Sequence, residues 1–125
     1  MTRKQMKTLI DNIFKKIQKT REDGQKEYAR DKDNAFANFE RVADNLSISR
    51  EKVLLTYLLK HIDGICAHVE GHESQREDIT GRITDSIVYL CLFWGMIEGS
   101  EYPGKSKHYY NRFAKEIKWN QLKKT

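Results

Sequence analysis

Two stretches decide the fold of this chain: SREKVLLTYLLKHIDGICAHVE, residues 49–70, and DITGRITDSIVYLCLFWGMI, residues 78–97. Both are apolar over the length of a long helix and contain no proline. The polar connector between them, GHESQRE at residues 71–77, is short enough to make the two helices antiparallel neighbours. The sequence therefore predicts a central helical hairpin.

Each helix of this hairpin also carries one line of polar residues. Spacings of three and four residues keep side chains on one helix face, since each residue turns the helix by about 100°. A preceding segment, residues 35–46, repeats the pattern with amides and one guanidinium. The three polar faces are Thr56, Lys60, Asp63, Ala67 and Glu70; Asp78, Arg82, Asp85 and Tyr89; and Asn34, Asn38, Arg41 and Asn45.

The whole chain reads as one all-α domain, residues 1–125, formed by an antiparallel bundle of four to five helices. One proline and seven glycines leave few helix breakers, and no alternating run predicts a strand. Further helices are expected at Arg3–Lys19, at Ala35–Leu46 with Asn34 as N-cap, and at Lys105–Thr125. The charged residues 21–34, which include Gly24, predict a loop after the first helix.

Charge is distributed unevenly along the chain. Residues 1–21 hold seven basic residues and one acidic residue. Residues 22–104 hold nine basic and sixteen acidic residues, and residues 105–125 hold seven basic residues and one acidic residue. Basic ends are typical of contact with nucleic acid or phosphates, but solvated lysine-rich helix faces give the same composition. The basic and aromatic C-terminal segment fits single-strand binding or, alternatively, a helix packed on the core or on a partner subunit.

Cysteine usage and hydropathy favour a cytoplasmic protein. Cys66 and Cys91 fall on apolar helix faces without metal-site spacing, which predicts buried free thiols. The N-terminus has no signal-peptide core, and the longest nearly apolar run, residues 86–97, is too short to span a bilayer. No membrane partner is expected.

The polar faces allow two interpretations. Carboxylates such as Asp63 and Asp85 among apolar residues are costly to bury unless they are paired or bind a cation. A buried ion-pair network with Lys60 and Arg82 would satisfy them and fix the helix register. A site for a phosphate-bearing ligand would satisfy them equally well.

In that second interpretation each residue type has a role. Lys60, Arg82 and Arg41 would face phosphate oxygens, since cations form the strong hydrogen bonds to phosphate. Carboxylates bind Mg²⁺ or sugar hydroxyls, so Asp63, Asp78 and Asp85 would hold one of these. An amide can read a base edge and a ring can stack on it, roles that suit Asn38, Tyr89 and Phe39.

Three histidines offer a different site. His61, His68 and His72 lie seven and four residues apart, and His68 with His72 forms an i, i+4 pair. Such a pair can bind a transition metal, although an exposed polar rim has the same spacing. No further ligand is obvious from the sequence.

Short motifs on the three helices resemble a known family. NFERVA at residues 38–43, LKHID at residues 59–63 and RITDSIVYL at residues 82–90 are similar to the nucleotide-modification-associated α-helical domain of phages and prophages. That family is distantly similar to the all-α nucleotide pyrophosphohydrolases of the MazG type, which bind Mg²⁺ through acidic residues on two antiparallel helices. The resemblance implies a site at Lys60, Asp63, Asp85 and Tyr89.

The chain departs from the MazG pattern where the metal is bound. Lys60 and Asp63 stand where that type has a cluster of carboxylates, and Asp78 and Asp85 are seven residues apart instead of three. Few acids remain for two-metal hydrolysis. Nucleotide binding is therefore expected independently of catalysis.

Together these observations predict a phage-type protein of the host cytoplasm, forming a homo-oligomer. It would bind a nucleotide or nucleotide-derived ligand, with hydrolysis of a nucleoside triphosphate and Mg²⁺ as the reaction if it is an enzyme. One alternative is a non-catalytic protein that sequesters a nucleotide signal or inhibits a host protein. The other is a nucleic-acid-binding protein that uses the basic termini. The predicted ligand-binding residues are Asn38, Arg41, Lys60, Asp63, Arg82, Asp85 and Tyr89, with Asp63, Asp85 and Asp78 as metal ligands.

Overall fold

The computed structural model describes residues 1–99, and these form helices with no strand. The elements in chain order are α1 (Arg3–Gly24), a π-helical turn (Gln25–Ala29), α2 (Ala37–Leu46), α3 (Arg50–Val69) and α4 (Ile79–Gly99). The predicted all-α class is confirmed, and so are the two central helices. The helix predicted at residues 105–125 lies outside the described residues.

Side-chain caps fix where the helices begin. The Ser49 hydroxyl accepts a hydrogen bond from the Lys52 amide at 3.2 Å and so starts α3. Thr2 and Gln5 form a capping box at the start of α1. The Asp78 carboxylate accepts hydrogen bonds from the Gly81 amide and from the Thr80 hydroxyl and so starts α4. These caps satisfy amides that have no partner within the helix.

The prediction of a loop over residues 21–34 is wrong for residues 21–29, which are helical. Gly24 has ordinary right-handed helical angles (φ −65°, ψ −31°), and the chain continues as a π-helical turn. The Gln25 side-chain amide donates to the carbonyl oxygens of Asp31 and Asn34 at 2.7 and 3.1 Å. The Gln25 side chain therefore holds residues 31–34, which follow the turn, against the turn itself.

The start of α2 also differs from the expectation. Asn34 does cap a backbone amide, because its side-chain oxygen accepts a hydrogen bond from the Phe36 amide at 3.0 Å. The helix nevertheless begins at Ala37, with Phe36 in the cap position and no side-chain cap. Asn34 therefore orders the turn that leads into α2.

The apolar core lies between α2, α3 and α4. Its buried members are Phe39 and Ala43 from α2, Val53 and Leu54 from α3, and Met96 from α4. Half-buried rings surround them, supplied by Phe36, Tyr57, Tyr89 and Phe93. Burial of these side chains is the main favourable term in the stability of a domain of this size.

Helix α1 packs against α4 and contains no buried residue. Of its predicted apolar stripe, only Ile13 and Ile17 are half-buried. Met6, Leu9, Ile10 and Phe14 are exposed. Helix α1 is thus held by the edge of its apolar face.

Apolar side chains also cover the outer face of the hairpin. Leu55, Leu59, Ile62 and Val69 of α3 are exposed at heptad-like spacing. Cys66 and Cys91 are exposed free thiols, which corrects the prediction of buried ones, because both lie on helix faces that point away from the core. A homo-oligomer stays a prediction, which light scattering of the purified chain can test.

Among residues 1–99, none of the helices combines the length and the hydropathy that a membrane-spanning helix requires.

Leu54 and its neighbour Leu55 provide a matched test of the core. Leu54 is 1% exposed and Leu55 is 49% exposed on the same helix. We expect Leu54→Ala to lower the free energy of unfolding by about 2–5 kcal/mol, because it removes buried methyl groups and leaves a cavity. Leu55→Ala should cost less than about 1 kcal/mol at low protein concentration. Urea unfolding followed by circular dichroism measures both, and equal losses would contradict the assigned core.

Candidate functional site

A cleft of about 1340 Å³ opens beside the core. Its walls come from the end of α1 and the π-helical turn, from one face of α2, and from the inner faces of α3 and α4. This volume exceeds the roughly 300–1,000 Å³ of most small-molecule sites, as expected for an open groove. Its polar lining residues include Asn38, Arg41, Asn45, Lys60, His61, Arg76, Glu77 and Asp85.

Aromatic rings from three helices form the floor of the cleft. The ring centroids of Phe39, Tyr57 and Tyr89 lie 6.0–6.2 Å from one another. The imidazole of His61 packs on Tyr89, with centroids 5.6 Å apart. Because such spacings are typical of favourable ring pairs, this packing fixes the positions of the polar groups beside it.

A histidine and two carboxylates meet on this floor. His61 comes from α3, Glu77 from the connector, and Asp85 from the second turn of α4. The Nδ1 atom of His61 lies 3.8 Å from a Glu77 oxygen, and its Nε2 atom lies 3.7 Å from an Asp85 oxygen. His61 is buried, whereas the two carboxylates are partly exposed to the cleft.

This environment shifts the pKa of Asp85 and the pKa of His61. Burial, then hydrogen bonding and repulsion from Glu77, raises the pKa of Asp85 to about 6, while Lys16 and Lys60 oppose the change. Burial lowers the pKa of His61, an effect that the attraction of Glu77 does not offset. A neutral imidazole therefore lies beside a carboxyl group that holds its proton unusually well. Perturbed pairs of this kind are common at functional sites.

Tyr89 supplies a hydroxyl group that stays protonated at neutral pH. Burial and the neighbouring Asp85 carboxylate raise the pKa of Tyr89 to about 12. In this state Tyr89 can donate a hydrogen bond toward the cleft, and its ring forms part of the floor.

Arg41 connects α2 to the π-helical turn. Its guanidinium donates hydrogen bonds to the carbonyl oxygens of Ala29 and Tyr28, at 2.9 and 2.6 Å. The turn ends at Arg30, which adopts a left-handed conformation with φ 50°. Arg41 therefore shapes the rim of the cleft by holding the turn in place, and π-helical turns are frequent at functional sites.

Two cations of the cleft keep their charges available. Within residues 1–99, Lys60 and Arg76 form no salt bridge, and both are exposed. They come from α3 and from the connector, so they reach the cleft from the side of the His61 cluster. This arrangement suits a ligand with negative charge.

Five of the predicted ligand-binding residues line this cleft: Asn38, Arg41, Lys60, Asp85 and Tyr89. Asp63 does not line it and is exposed on α3. Asp78, proposed above as a metal ligand, caps α4 through its carboxylate, and this bonding lowers its pKa.

Arg82 has a different environment from the one the polar face implies. Its side chain crosses α3 at Gly64, where an added Cβ atom would lie 2.8 Å from the Arg82 Cδ atom. The Nε atom is buried and has no hydrogen-bond partner within residues 1–99. Arg82 thus packs between the two helices and does not line the cleft.

The cleft also contains residues that the polar faces did not indicate: His61, Glu77, Tyr57 and Arg76. The spacing of the histidines groups His61 with His68 and His72, but His61 alone of the three is buried, because it follows Leu54 and Tyr57 on the core face of α3. Glu77 directly precedes the helix cap Asp78, so its position depends on the path of the connector. Helical periodicity carries no information about a connector.

Comparison with protein families, with curated proteins and with solved structures gives no match for this chain. The resemblance to the phage helical domain family therefore stays a prediction.

Asp85 gives the site a measurable pH dependence. Its pKa is about 6 in the folded chain against an ordinary 3.8, so the folded state binds this proton more tightly than the unfolded state. The protonated Asp85 side chain contributes its full stabilisation below its ordinary pKa of 3.8. This contribution is lost as the pH rises through about 6, the pKa of Asp85 in the folded chain. We expect Asp85→Asn to gain stability relative to the parent between pH 4 and pH 7, because the asparagine never acquires the charge.

Urea unfolding in EDTA at a series of pH values measures this difference. Asp63→Asn is the matched control, since Asp63 is exposed and lies outside the cleft. A difference between Asp85→Asn and the parent that stays constant across this pH range would contradict the raised pKa.

Proposed function

We propose that this protein binds a nucleotide or a nucleotide-derived ligand in the cleft. The observation that carries the proposal is the combination, in one groove, of aromatic rings, side-chain amides and cations that form no salt bridge within residues 1–99. A nucleotide presents complementary groups: a planar base, an edge of donors and acceptors, and phosphate oxygens. The cleft has room for all three parts.

Each part of the ligand has a matching part of the cleft. Tyr28 is 60% exposed at the rim, which leaves its ring open for stacking on a base. The amides of Asn38 and Asn45 can both donate to and accept from a base edge. Lys60 and Arg76 can contact the phosphate oxygens.

Hydrolysis of the bound nucleotide is a separate part of the proposal. Of the predicted Mg²⁺ ligands, Asp85 lines the cleft, while Asp78 serves as a helix cap and Asp63 lies elsewhere. Assays of phosphate and pyrophosphate release, with Mg²⁺ and with Mn²⁺, distinguish an enzyme from a protein that sequesters its ligand. Tight binding without turnover would favour sequestration.

Binding of nucleic acid through the basic termini has its own signature. Its affinity should fall steeply with salt, because each phosphate contact releases counterions. A single nucleotide held in the cleft should show a much smaller salt dependence. Titrations at two salt concentrations therefore separate the two functions.

Two substitutions test the proposed phosphate contacts. Lys60→Ala and Arg76→Ala should each weaken nucleotide binding by about tenfold or more, because a hydrogen bond to a charged group is worth about 1.5–3 kcal/mol. Isothermal titration calorimetry in EDTA, with a panel of nucleoside mono-, di- and triphosphates, measures the change. Lys52→Ala is the matched control, since Lys52 is exposed on the same helix as Lys60 but outside the cleft. Failure of every nucleotide to bind the parent chain would refute the proposed function.

A further inference from the structure

His61 has an unsatisfied nitrogen in a buried place. The residue is 6% exposed, and its Nδ1 atom finds no hydrogen-bond partner within residues 1–99. Its two carboxylate neighbours, at 3.7 and 3.8 Å, are beyond hydrogen-bond distance. Buried polar atoms without a partner are rare, and each one requires a physical explanation.

The neighbouring ligand atoms already lie close to the spacing of a metal site. One atom each from His61, Glu77 and Asp85 lie within 4.8 Å of one another. Ligand atoms around a metal ion at about 2.0–2.2 Å from each of them are separated by about 3–4 Å. A decrease of about 1 Å in the separations would bring the three atoms to this spacing.

We propose that His61, Glu77 and Asp85 bind one divalent first-row transition-metal ion, such as Zn²⁺ or Mn²⁺, on the floor of the cleft. An imidazole nitrogen favours such ions over Mg²⁺, which prefers an all-oxygen environment. The three residues come from α3, the connector and α4, so the ion would join the two halves of the central hairpin.

The electrostatics of the site favour a dication. Glu77 and Asp85 place two carboxyl groups close together on the cleft floor, and these groups repel each other when both are ionised. A bound dication would remove this repulsion. An unprotonated imidazole nitrogen is the atom that binds a metal, and the Nδ1 atom of His61 has no hydrogen-bond partner within residues 1–99.

Three protein ligands leave further coordination positions open toward the cleft. Water or a ligand oxygen can occupy these positions, as in catalytic metal sites. Only this last step, contact between the ion and a phosphate oxygen, rests on the proposed function. Binding of the ion itself rests on the geometry of the three residues.

Direct titration of the full-length chain, without a histidine tag and after EDTA treatment, tests the site. Calorimetry with Zn²⁺, Mn²⁺ and Mg²⁺, in the absence of nucleotide, should give one ion per chain, with Mg²⁺ at least tenfold weaker than the other two. Co²⁺ should give visible d–d absorption bands that report its coordination by the protein, and these bands should weaken in His61→Gln. His61→Gln, Glu77→Gln and Asp85→Asn should each weaken Zn²⁺ binding at least tenfold.

Two control variants sit on the same helix as His61. His68→Gln changes an exposed histidine, and Asp63→Asn changes an exposed carboxylate outside the cleft. Both should bind Zn²⁺ as the parent does. Circular dichroism confirms the fold of each variant, and Glu77→Gln provides the test if substitution of the buried His61 prevents folding.

Three results would overturn the site: no Zn²⁺ or Mn²⁺ bound at micromolar concentration, Mg²⁺ bound as tightly as the other two ions, or Zn²⁺ binding that is lost in His68→Gln and kept in Glu77→Gln. The proposed function is judged separately, by nucleotide titrations in EDTA. Metal binding without nucleotide binding would support the ion site alone, and the reverse result would support the nucleotide cleft alone.

Discussion

The packing of three rings, Phe39, Tyr57 and Tyr89, is the interaction on which the rest of the structure depends. Each of the helices α2, α3 and α4 contributes one ring, so their mutual contact fixes the three helices relative to one another. The apolar core lies on one side of these rings and the polar cleft on the other. The same ring contacts therefore stabilise the fold and position the side chains of the site. A change in the rings would alter the core and the cleft together.

The site is placed at a cost to stability. His61 and Asp85 each lie one helical turn from a ring of the cluster, on faces that an apolar residue could fill. Burial of polar groups is unfavourable when they lack partners, and two neighbouring carboxylates add repulsion. Natural proteins accept such local conflicts where function requires them. In the cleft this conflict brings one imidazole and two carboxyl groups together.

The central hairpin could be predicted because apolar runs, caps and a short connector all indicate the same structure. The site could be predicted only in part. A three- or four-residue spacing places Asp63 and Lys60 on one face of α3, but it does not say which neighbouring helix that face meets. Thus Lys60 reaches the cleft while Asp63 does not. Glu77 lies in a connector, where no periodicity applies. The chain stays helical after Gly24 in a π-helical turn whose carbonyl oxygens accept hydrogen bonds from Arg41, a residue of α2 that no local pattern around Gly24 indicates.

The close approach of Arg82 to Gly64 ties together two positions on different helices. A side chain at residue 64 would occupy the space through which the Arg82 side chain passes. In any related chain that keeps this hairpin, a larger residue at position 64 therefore requires the residue at position 82 to be shorter or to cross the hairpin by another path. The two positions should vary as a pair during evolution. Such a correlated pair would identify distant relatives by the contact itself, even where the remaining residues have diverged.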